Sequence, residues 1–379
     1  MGRDLGRSCY RRAEVILGQG KMHIPDGYLG PQTYLAGYAV MLPAWAIAAR
    51  RLTALLHSPR APLLGLAAAF CFVVMMLNIP LPGGTTGHAT GAALVAILLG
   101  PAAALVAVSV SLVVQALVFG DGGITALGAN CFNMALVMPL VAYGVFRLLA
   151  GNAPKDSRRR FWAAAIAGYV SLNAAALTTA VMFGIQPLIA HDAAGRPLYS
   201  PYPLSIALPA MMLPHLLLFG FAEAAVTGFA LAYLEGMPLA WRPRFQTTEQ
   251  AQRTTTAVYR RLLKVVILLA LISPLGILLP AWLGAGSAWG EWSAQEVALM
   301  VGYLPSGMSD FTQRWQAPLP NYSLPQPAGG QAWQGASAGR LALVYLLCAV
   351  VTVGLLIFLG RGMERVLRHR KSRLSEEEP

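Results

Sequence analysis

Nine apolar runs dominate this sequence and limit what it can fold into. A helix that crosses a bilayer needs about 20 consecutive, mostly apolar residues. Only 12% of the residues are charged, against about 25% in a typical soluble domain. The pattern predicts an all-α, polytopic membrane protein with about nine transmembrane helices. The runs lie at 32–49, 61–78, 86–99, 101–119, 125–149, 161–184, 204–234, 262–283 and 340–360.

Arginine and lysine predict the orientation of these helices. Positive residues concentrate in cytoplasmic loops. If the segment before the first run is outside, 20 of the 28 positive residues lie in cytoplasmic segments and three in outer loops. We therefore expect a cytoplasmic C-terminus. The positive residues behind the net charge of +12 lie mainly in these cytoplasmic segments. This distribution argues for contact with membrane lipid and against a nucleic-acid partner.

The first 21 residues do not fit this orientation. They carry the remaining five positive charges and would place them at the outer face. Their apolar part, "AEVILG", is shorter than the roughly 7–15 residues of a signal-peptide core. We expect residues 1–21 to be a mis-assigned or removable extension, with Met22 as the first residue of the protein. The alternative is a genuine basic extension that is cleaved or tolerated.

The sequence divides at a polar, basic stretch rich in Thr and Gln. Residues 236–261 are predicted to be a cytoplasmic linker. Before it, residues 22–235 contain seven of the apolar runs. After it, residues 262–379 form a two-helix module with an outer loop at 284–339.

A metal site is predicted at the outer face. Met22 and His23 precede the first run, and His88 lies in the loop after the second. If Met22 is the first residue, its amine, the His23 amide nitrogen and His23 Nδ1 can chelate one ion in fused rings. His88 would supply a fourth nitrogen in the plane. Planar nitrogen coordination favours Ni(II), Cu(II) or a constrained Co(II), whereas tetrahedral zinc fits poorly.

Three stretches resemble the CbiM/NikM family, which comprises the metal-binding S components of energy-coupling factor (ECF) importers for cobalt or nickel. The stretches are "MHIPDGYLGP", "NIPLPGGTTGHATGAALVAILLGP" and "VQALVFGDGGITALGANCFNMALVMP". The resemblance covers about residues 22–235. It implies that Met22, His23 and His88 hold Co(II) or Ni(II) as the transported substrate, with no organic cofactor.

The resemblance also implies partners and a location. The sequence contains no GxxxxGK[ST] motif, so we expect a transporter subunit rather than an enzyme, with ATP hydrolysed by separate ATPases. A transmembrane coupling protein is the other implied partner, and a separate small N component is a further candidate. The protein is expected in a bacterial or archaeal plasma (inner) membrane.

The C-terminal module resembles the small N component of such importers, which in the family promotes metal loading through an outer loop. The Pro-Asp-Gly motif expected there is replaced by "SPLG" and "AWGEW". Trp289, Glu291 and Trp292 are the residues of interest, although the tryptophans are equally typical of an interfacial anchor. The fused module favours cobalt, for cobalamin synthesis, slightly over nickel.

Further polar and glycine residues are candidates for supporting the metal site. Each of these residues can also be explained by a structural role alone. Asp26 and Asp121 can shape turns, Asn78 can end a helix, and the glycines permit close backbone turns. Asp26 could instead hydrogen-bond His23, and Asp121 could attract cations. The second-shell or loop candidates are Asp26, Asn78, Gly83, Gly84, Gly87 and Asp121.

Two ionisable residues, His215 and Glu223, lie within the seventh run. Such residues are costly in a membrane and usually functional or paired. We interpret them as packing or coupling groups. Two other functions remain possible: a secondary transporter or channel that uses His215 and Glu223, or an intramembrane metalloenzyme that also uses His88. The latter is less favoured because HExxH is absent.

Overall fold

The structure is a computed structural model that describes eight stretches of the chain. The predicted extension at 1–21 lies outside the described residues, as do Gly83, Gly84 and the stretch 236–247. The described residues are 22–56, 61–81, 85–154, 157–235, 248–286, 288–311, 315–324 and 337–376.

Before the predicted linker, the described residues form seven main helices and one β-hairpin. The strands β1 (Ile79–Leu81) and β2 (Thr85–Gly87) are antiparallel, with Ile79 opposite Gly87. A short turn of helix, Gln186–Ile189, follows the sixth helix. The helices are α1 (Pro31–Leu56), α2 (Ala61–Met75), α3 (Ala92–Leu99), α4 (Pro101–Phe119), α5 (Leu127–Ala150), α6 (Arg158–Gly184) and α7 (Leu204–Glu235).

The described residues of the C-terminal part form five further α-helices and a short 3-10 turn, Pro320–Tyr322. The first of them begins inside the stretch 236–261, so its N-terminal part is helical where a linker was predicted. The division into two modules therefore remains a prediction. The helices are α8 (Thr248–Ile272), α9 (Leu275–Leu283), α10 (Ala294–Val301), α11 (Ser306–Phe311) and α12 (Ala338–Glu376).

The all-α membrane fold is confirmed, but the count of nine transmembrane helices is not. In the described residues, six helical stretches are long and apolar enough to cross a membrane. The run at 86–99 contains only the eight-residue α3, and α2 has 15 residues. The six are Pro101–Phe119, Leu127–Ala150, Arg158–Ile189, Leu204–Glu235, Thr256–Leu283 and Ala338–Gly362.

Helix α2 lies at the centre of the packing. Every residue of α2 except Pro62 is buried, and it contacts α4, α8 and α12. A Cβ on Gly65 would lie 2.9 Å from the Cα of Gly360 in α12. Small residues let helix backbones approach this closely in membranes. The C-terminal helix is therefore packed directly against the first part of the chain.

Three of the long helices contain a π-helical turn. The turns are Gln115–Phe119 in α4, Phe132–Val137 in α5 and His215–Phe219 in α7. Single π-helical turns within α-helices are frequent at functional sites. Gln115 and His215, the first residues of two of these turns, lie close to the site described next.

Candidate metal centre

The segment that begins at Met22 is buried against the loop that connects α4 and α5. Met22, His23 and Ile24 are each at most 5% exposed. The amide nitrogen of Ile24 donates to Asn130 Oδ1 over 3.1 Å, and Asn130 Nδ2 donates to the Ile24 carbonyl over 3.1 Å. Gly123 N also donates to that carbonyl over 2.9 Å. The position of His23 is thus fixed by the main chain beside it.

Asp121 joins the first two candidate ligands. Its Oδ1 accepts a hydrogen bond from Met22 N over 2.6 Å and lies 3.1 Å from His23 Nδ1. Asp121 lies two residues after the π-helical turn of α4, and its own amide donates to the Gln115 carbonyl over 3.0 Å. Asp121 was predicted either to attract cations or to shape a turn, and its carboxylate contacts Met22 and His23, two of the candidate ligands.

His88, which follows β2, completes the group. Its Nε2 lies 3.0 Å from the Met22 carbonyl oxygen, and its Nδ1 lies 3.0 Å from the Ala89 carbonyl oxygen. The ring centroids of His23 and His88 are 5.3 Å apart. The buried His23 Nε2 has no hydrogen-bond partner among the described residues. The three residues predicted as ligands therefore converge on one place.

The pKa shifts of His88 and Asp121 favour the binding of a cation. Burial, followed by the nearby charge of His23, lowers the pKa of His88, and this favours the neutral imidazole that binds metals. Burial alone would raise the pKa of Asp121. The charge of His23 and the hydrogen bonds from His23, Tyr322 and Met22 outweigh burial and lower the pKa of Asp121. A buried carboxylate thus lies beside the nitrogen atoms.

Side chains alone do not form a metal site here. Among the residues that the structure describes, no group of three or more His, Cys, Asp or Glu side chains is placed to hold a metal ion. The donor set predicted from the sequence adds the main-chain nitrogens of Met22 and His23 to the two imidazoles, and it stays a prediction. His23 Nδ1, the ring nitrogen of the predicted chelate, lies 3.1 Å from Asp121 Oδ1 in this structure.

Helix α7 supports the loop that carries His88. Glu223, which is fully buried, accepts hydrogen bonds from Thr90 N over 2.6 Å and from Gly91 N over 3.1 Å. A Cβ added to Gly87 would lie 2.4 Å from the ring of Phe219. Gly87 therefore permits a close approach to α7, and Glu223 holds the residues just after His88.

A cavity of about 100 Å³ adjoins the candidate ligands. His23 and His88 line it together with Met211 and His215 of α7. His215 Nδ1 is 2.7 Å from the Met211 carbonyl oxygen. Trp289 of the predicted outer loop also lines the cavity, and its amide donates to Thr85 Oγ1 over 3.0 Å. The C-terminal part therefore covers part of this cavity.

Two predicted supporting residues lie elsewhere. The carboxylate of Asp26 accepts hydrogen bonds from Ile124 N over 3.0 Å and from Thr125 N over 2.8 Å, and Thr125 Oγ1 also donates to it. Asp26 thus shapes the loop between α4 and α5, and Asp121 takes the place beside His23. Asn78 precedes β1 and is not among the described residues that line the cavity.

Sequence reasoning missed three residues of the site. Asn130 had a usable signal, because a polar side chain within an apolar run usually has a partner. Thr90 had the same signal, because it lies in the run 86–99, whereas Tyr322 had none. Tyr322 lies in the predicted outer loop and donates to Asp121 Oδ2 over 2.6 Å, although 201 positions separate the two residues.

The fold and site together define a class: a polytopic helical membrane protein with a buried, nitrogen-rich site at the loops joining its helices. Residues 23–241 match the protein family described as "Cobalt uptake substrate-specific transmembrane region", the CbiM family. This match covers more than half of the chain. The chain belongs to the CbiM family, and the resemblance to CbiM/NikM is confirmed.

Similar proteins include two that are named as fused. The fused nickel transport protein NikMN of Rhodobacter capsulatus is 44% identical, over 92% of this chain and 98% of the relative. The probable fused nickel transport protein LarMN of Lactiplantibacillus plantarum is 37% identical, over 90% and 98%. A crystal structure of a truncated transition metal transporter is 48% identical, with a TM-score of 0.53, over 56% of this chain and 98% of that one.

Proposed function

We propose that this protein is the substrate-binding S subunit of an ATP-driven ECF importer for a transition-metal ion. One observation carries the proposal. Met22 N and the rings of His23 and His88 converge in a buried place beside the carboxylate of Asp121. Nitrogen donors of this kind suit Ni(II) and Co(II), and the adjacent carboxylate favours a cation.

The proposed ligands are the Met22 nitrogen, the amide and imidazole nitrogens of His23, and an imidazole nitrogen of His88. The Met22 nitrogen is a free amine only if the mature chain begins at that residue. Intact mass and terminal peptide sequencing of the membrane-expressed protein would test this. A mature chain that begins at Met1 would contradict the proposed amine ligand.

Nickel(II) is the first cargo to test, and cobalt(II) is the second. The two fused relatives are named as nickel transport proteins, whereas the family description names cobalt uptake. The slight preference for cobalt from sequence had rested only on the fused module. Titrating the purified chain with each ion would rank the two affinities.

The proposed importer needs other subunits. The sequence has no P-loop motif, so separate ATPases and a transmembrane coupling protein would supply energy and movement. We also propose that residues 22–235 form the S component, that residues 262–379 form a module like the N component, and that the C-terminus is cytoplasmic. Metal uptake by cells that express this chain without ATPases would instead favour a secondary transporter.

The sharpest test replaces one candidate ligand. His88→Ala in the full chain is expected to abolish high-affinity Ni(II) binding, as measured by isothermal titration calorimetry in detergent. His191→Ala is the matched control, because His191 is exposed and is not among the described residues that line the cavity. Unchanged Ni(II) binding by the His88 variant would refute the proposed site.

A further inference from the structure

Residues 315–324, which we call the tyrosine segment, run along the end of α4. Trp315 Nε1 donates to the Leu117 carbonyl over 3.2 Å, and Leu319 N donates to the Val118 carbonyl over 3.0 Å. Both carbonyls belong to the π-helical turn at the end of α4, where main-chain acceptors commonly lack partners within the helix. The tyrosine segment therefore supplies partners for them.

Tyr322 connects the tyrosine segment to the candidate metal centre. Its side chain is fully buried, and its ring stacks on Phe119 with centroids 4.4 Å apart and planes 18° apart. The hydroxyl donates to Asp121 Oδ2 over 2.6 Å and accepts from Gln115 Nε2 over 3.3 Å. The hydroxyl is thus fixed from two sides, and one of its contacts is the carboxylate beside His23.

The backbone conformation of the tyrosine segment indicates that contacts with its surroundings hold Tyr322 in place. Asn321 and Tyr322 have φ values of 51° and 55°, the only positive values for residues other than glycine in the described chain. Such conformations are unfavourable for L-residues and persist where the surroundings determine them. Here the Phe119 stack and the two hydrogen bonds of the hydroxyl are the determining contacts.

The two oxygens of Asp121 have separate partners. Oδ1 faces Met22 N and His23 Nδ1, whereas Oδ2 faces the Tyr322 hydroxyl. A hydrogen bond to Oδ2 fixes the rotation of the carboxylate. The fixed carboxylate orients Met22 N, which can keep donating to Oδ1 when it binds an ion, and it orients the His23 ring before an ion takes Nδ1. Groups that orient metal ligands in this way usually change metal affinity when they are removed.

We propose that Tyr322 is a positioning residue for the metal centre and acts through Asp121. The inference rests on the proposed function, because it presumes that Met22, His23 and His88 bind the ion. It assigns one residue of the C-terminal part a defined effect on the site. Loss of the hydroxyl should leave the fold intact and weaken metal retention.

The test uses Tyr322→Phe in the full chain, with Ni(II) as the probe. The phenyl ring keeps the stack on Phe119 and removes only the hydroxyl. Ni(II) affinity should fall about tenfold, mainly through faster dissociation. Tyr345→Phe is the matched control: Tyr345 is buried in the same aromatic cluster, but its hydroxyl donates to the Met76 carbonyl over 2.8 Å. Its affinity should change less than about twofold.

A double-mutant cycle then separates positioning from packing. Asp121→Asn alone should weaken binding by about 10- to 100-fold. Adding Tyr322→Phe to that variant should lower the Ni(II) affinity by less than a further factor of about two, because both changes remove the effect of the Tyr322–Asp121 hydrogen bond on the ligands. The absorption spectrum of bound Ni(II) should also shift in Tyr322→Phe and remain unchanged in Tyr345→Phe.

Three results would overturn the inference. These are unchanged affinity in Tyr322→Phe, an equal loss in the Asp121→Asn background, or loss of folding in Tyr322→Phe alone. The last would make the hydroxyl a structural group. Failure of the proposed function looks different: the wild-type chain and Tyr345→Phe would both fail to bind Ni(II).

Discussion

Replacing Glu223 tests whether α7 holds the loop that carries His88. Glu223 Oε2 accepts from Thr90 N over 2.6 Å, from Gly91 N over 3.1 Å and from Thr90 Oγ1 over 3.4 Å. In Glu223→Ala, two buried N–H groups lose their acceptor. Each such group costs about 1–3 kcal/mol, so the free energy of unfolding should fall by about 2–6 kcal/mol.

The conservative variant Glu223→Gln should behave differently. Its amide oxygen can still accept from the two N–H groups, so the free energy of unfolding should fall less than in Glu223→Ala. Because the loop would stay in place, Ni(II) affinity should remain within about threefold of the wild-type value, whereas Glu223→Ala should lose about tenfold.

Thermal unfolding in detergent and Ni(II) calorimetry on the same samples measure the two effects. Glu235→Ala is the matched control. Glu235 is buried at the C-terminal end of α7 and pairs there with Arg160, whose Nε donates over 2.8 Å. This variant should lose stability but keep its Ni(II) affinity. Wild-type affinity in Glu223→Ala, or an equal loss in Glu235→Ala, would refute the reasoning.

Two further predictions concern pH and the glycine before His88. Ni(II) affinity should fall as pH decreases from about 8 to about 6, because binding releases protons from the Met22 amine and the His23 amide. Since the pKa of His88 is lowered, His88 stays neutral through most of this pH range. Calorimetric titrations that give the same affinity at every pH would contradict the proposed ligands. Gly87→Ala should weaken Ni(II) binding and lower the stability of the protein, because the new Cβ would lie 2.4 Å from the Phe219 ring. Adding Phe219→Leu should restore part of the affinity and part of the stability. If it restores neither, steric crowding is not the cause.

Much of the fold could be predicted from the sequence. Each of the nine apolar runs overlaps a helix, because burial in a bilayer requires long apolar stretches with internally satisfied backbone groups. The number of spans could not be settled this way. A run such as 86–99 has the same composition whether it crosses a membrane or, as here, forms a hairpin strand and an eight-residue helix.

The candidate ligands were also accessible from the sequence. Met22 and His23 are adjacent, and His88 lies in a loop on the face expected for both, so local pattern and orientation were sufficient to group them. Asp26 shows the limit of this reasoning. Its position three residues after His23 suggested a contact with that ring, but its carboxylate accepts from Ile124 and Thr125.

The sequence by itself thus determined the helical membrane fold, the family and the three candidate ligands, since these depend on hydrophobic length and short motifs. Tertiary structure alone decided what surrounds the ligands. Asp121 lies 98 positions from His23, Glu223 lies 133 from Thr90, and Tyr322 lies 201 from Asp121. Hydrogen bonds over such separations depend on how the helices pack and where their π-helical turns fall, which local residue patterns do not encode.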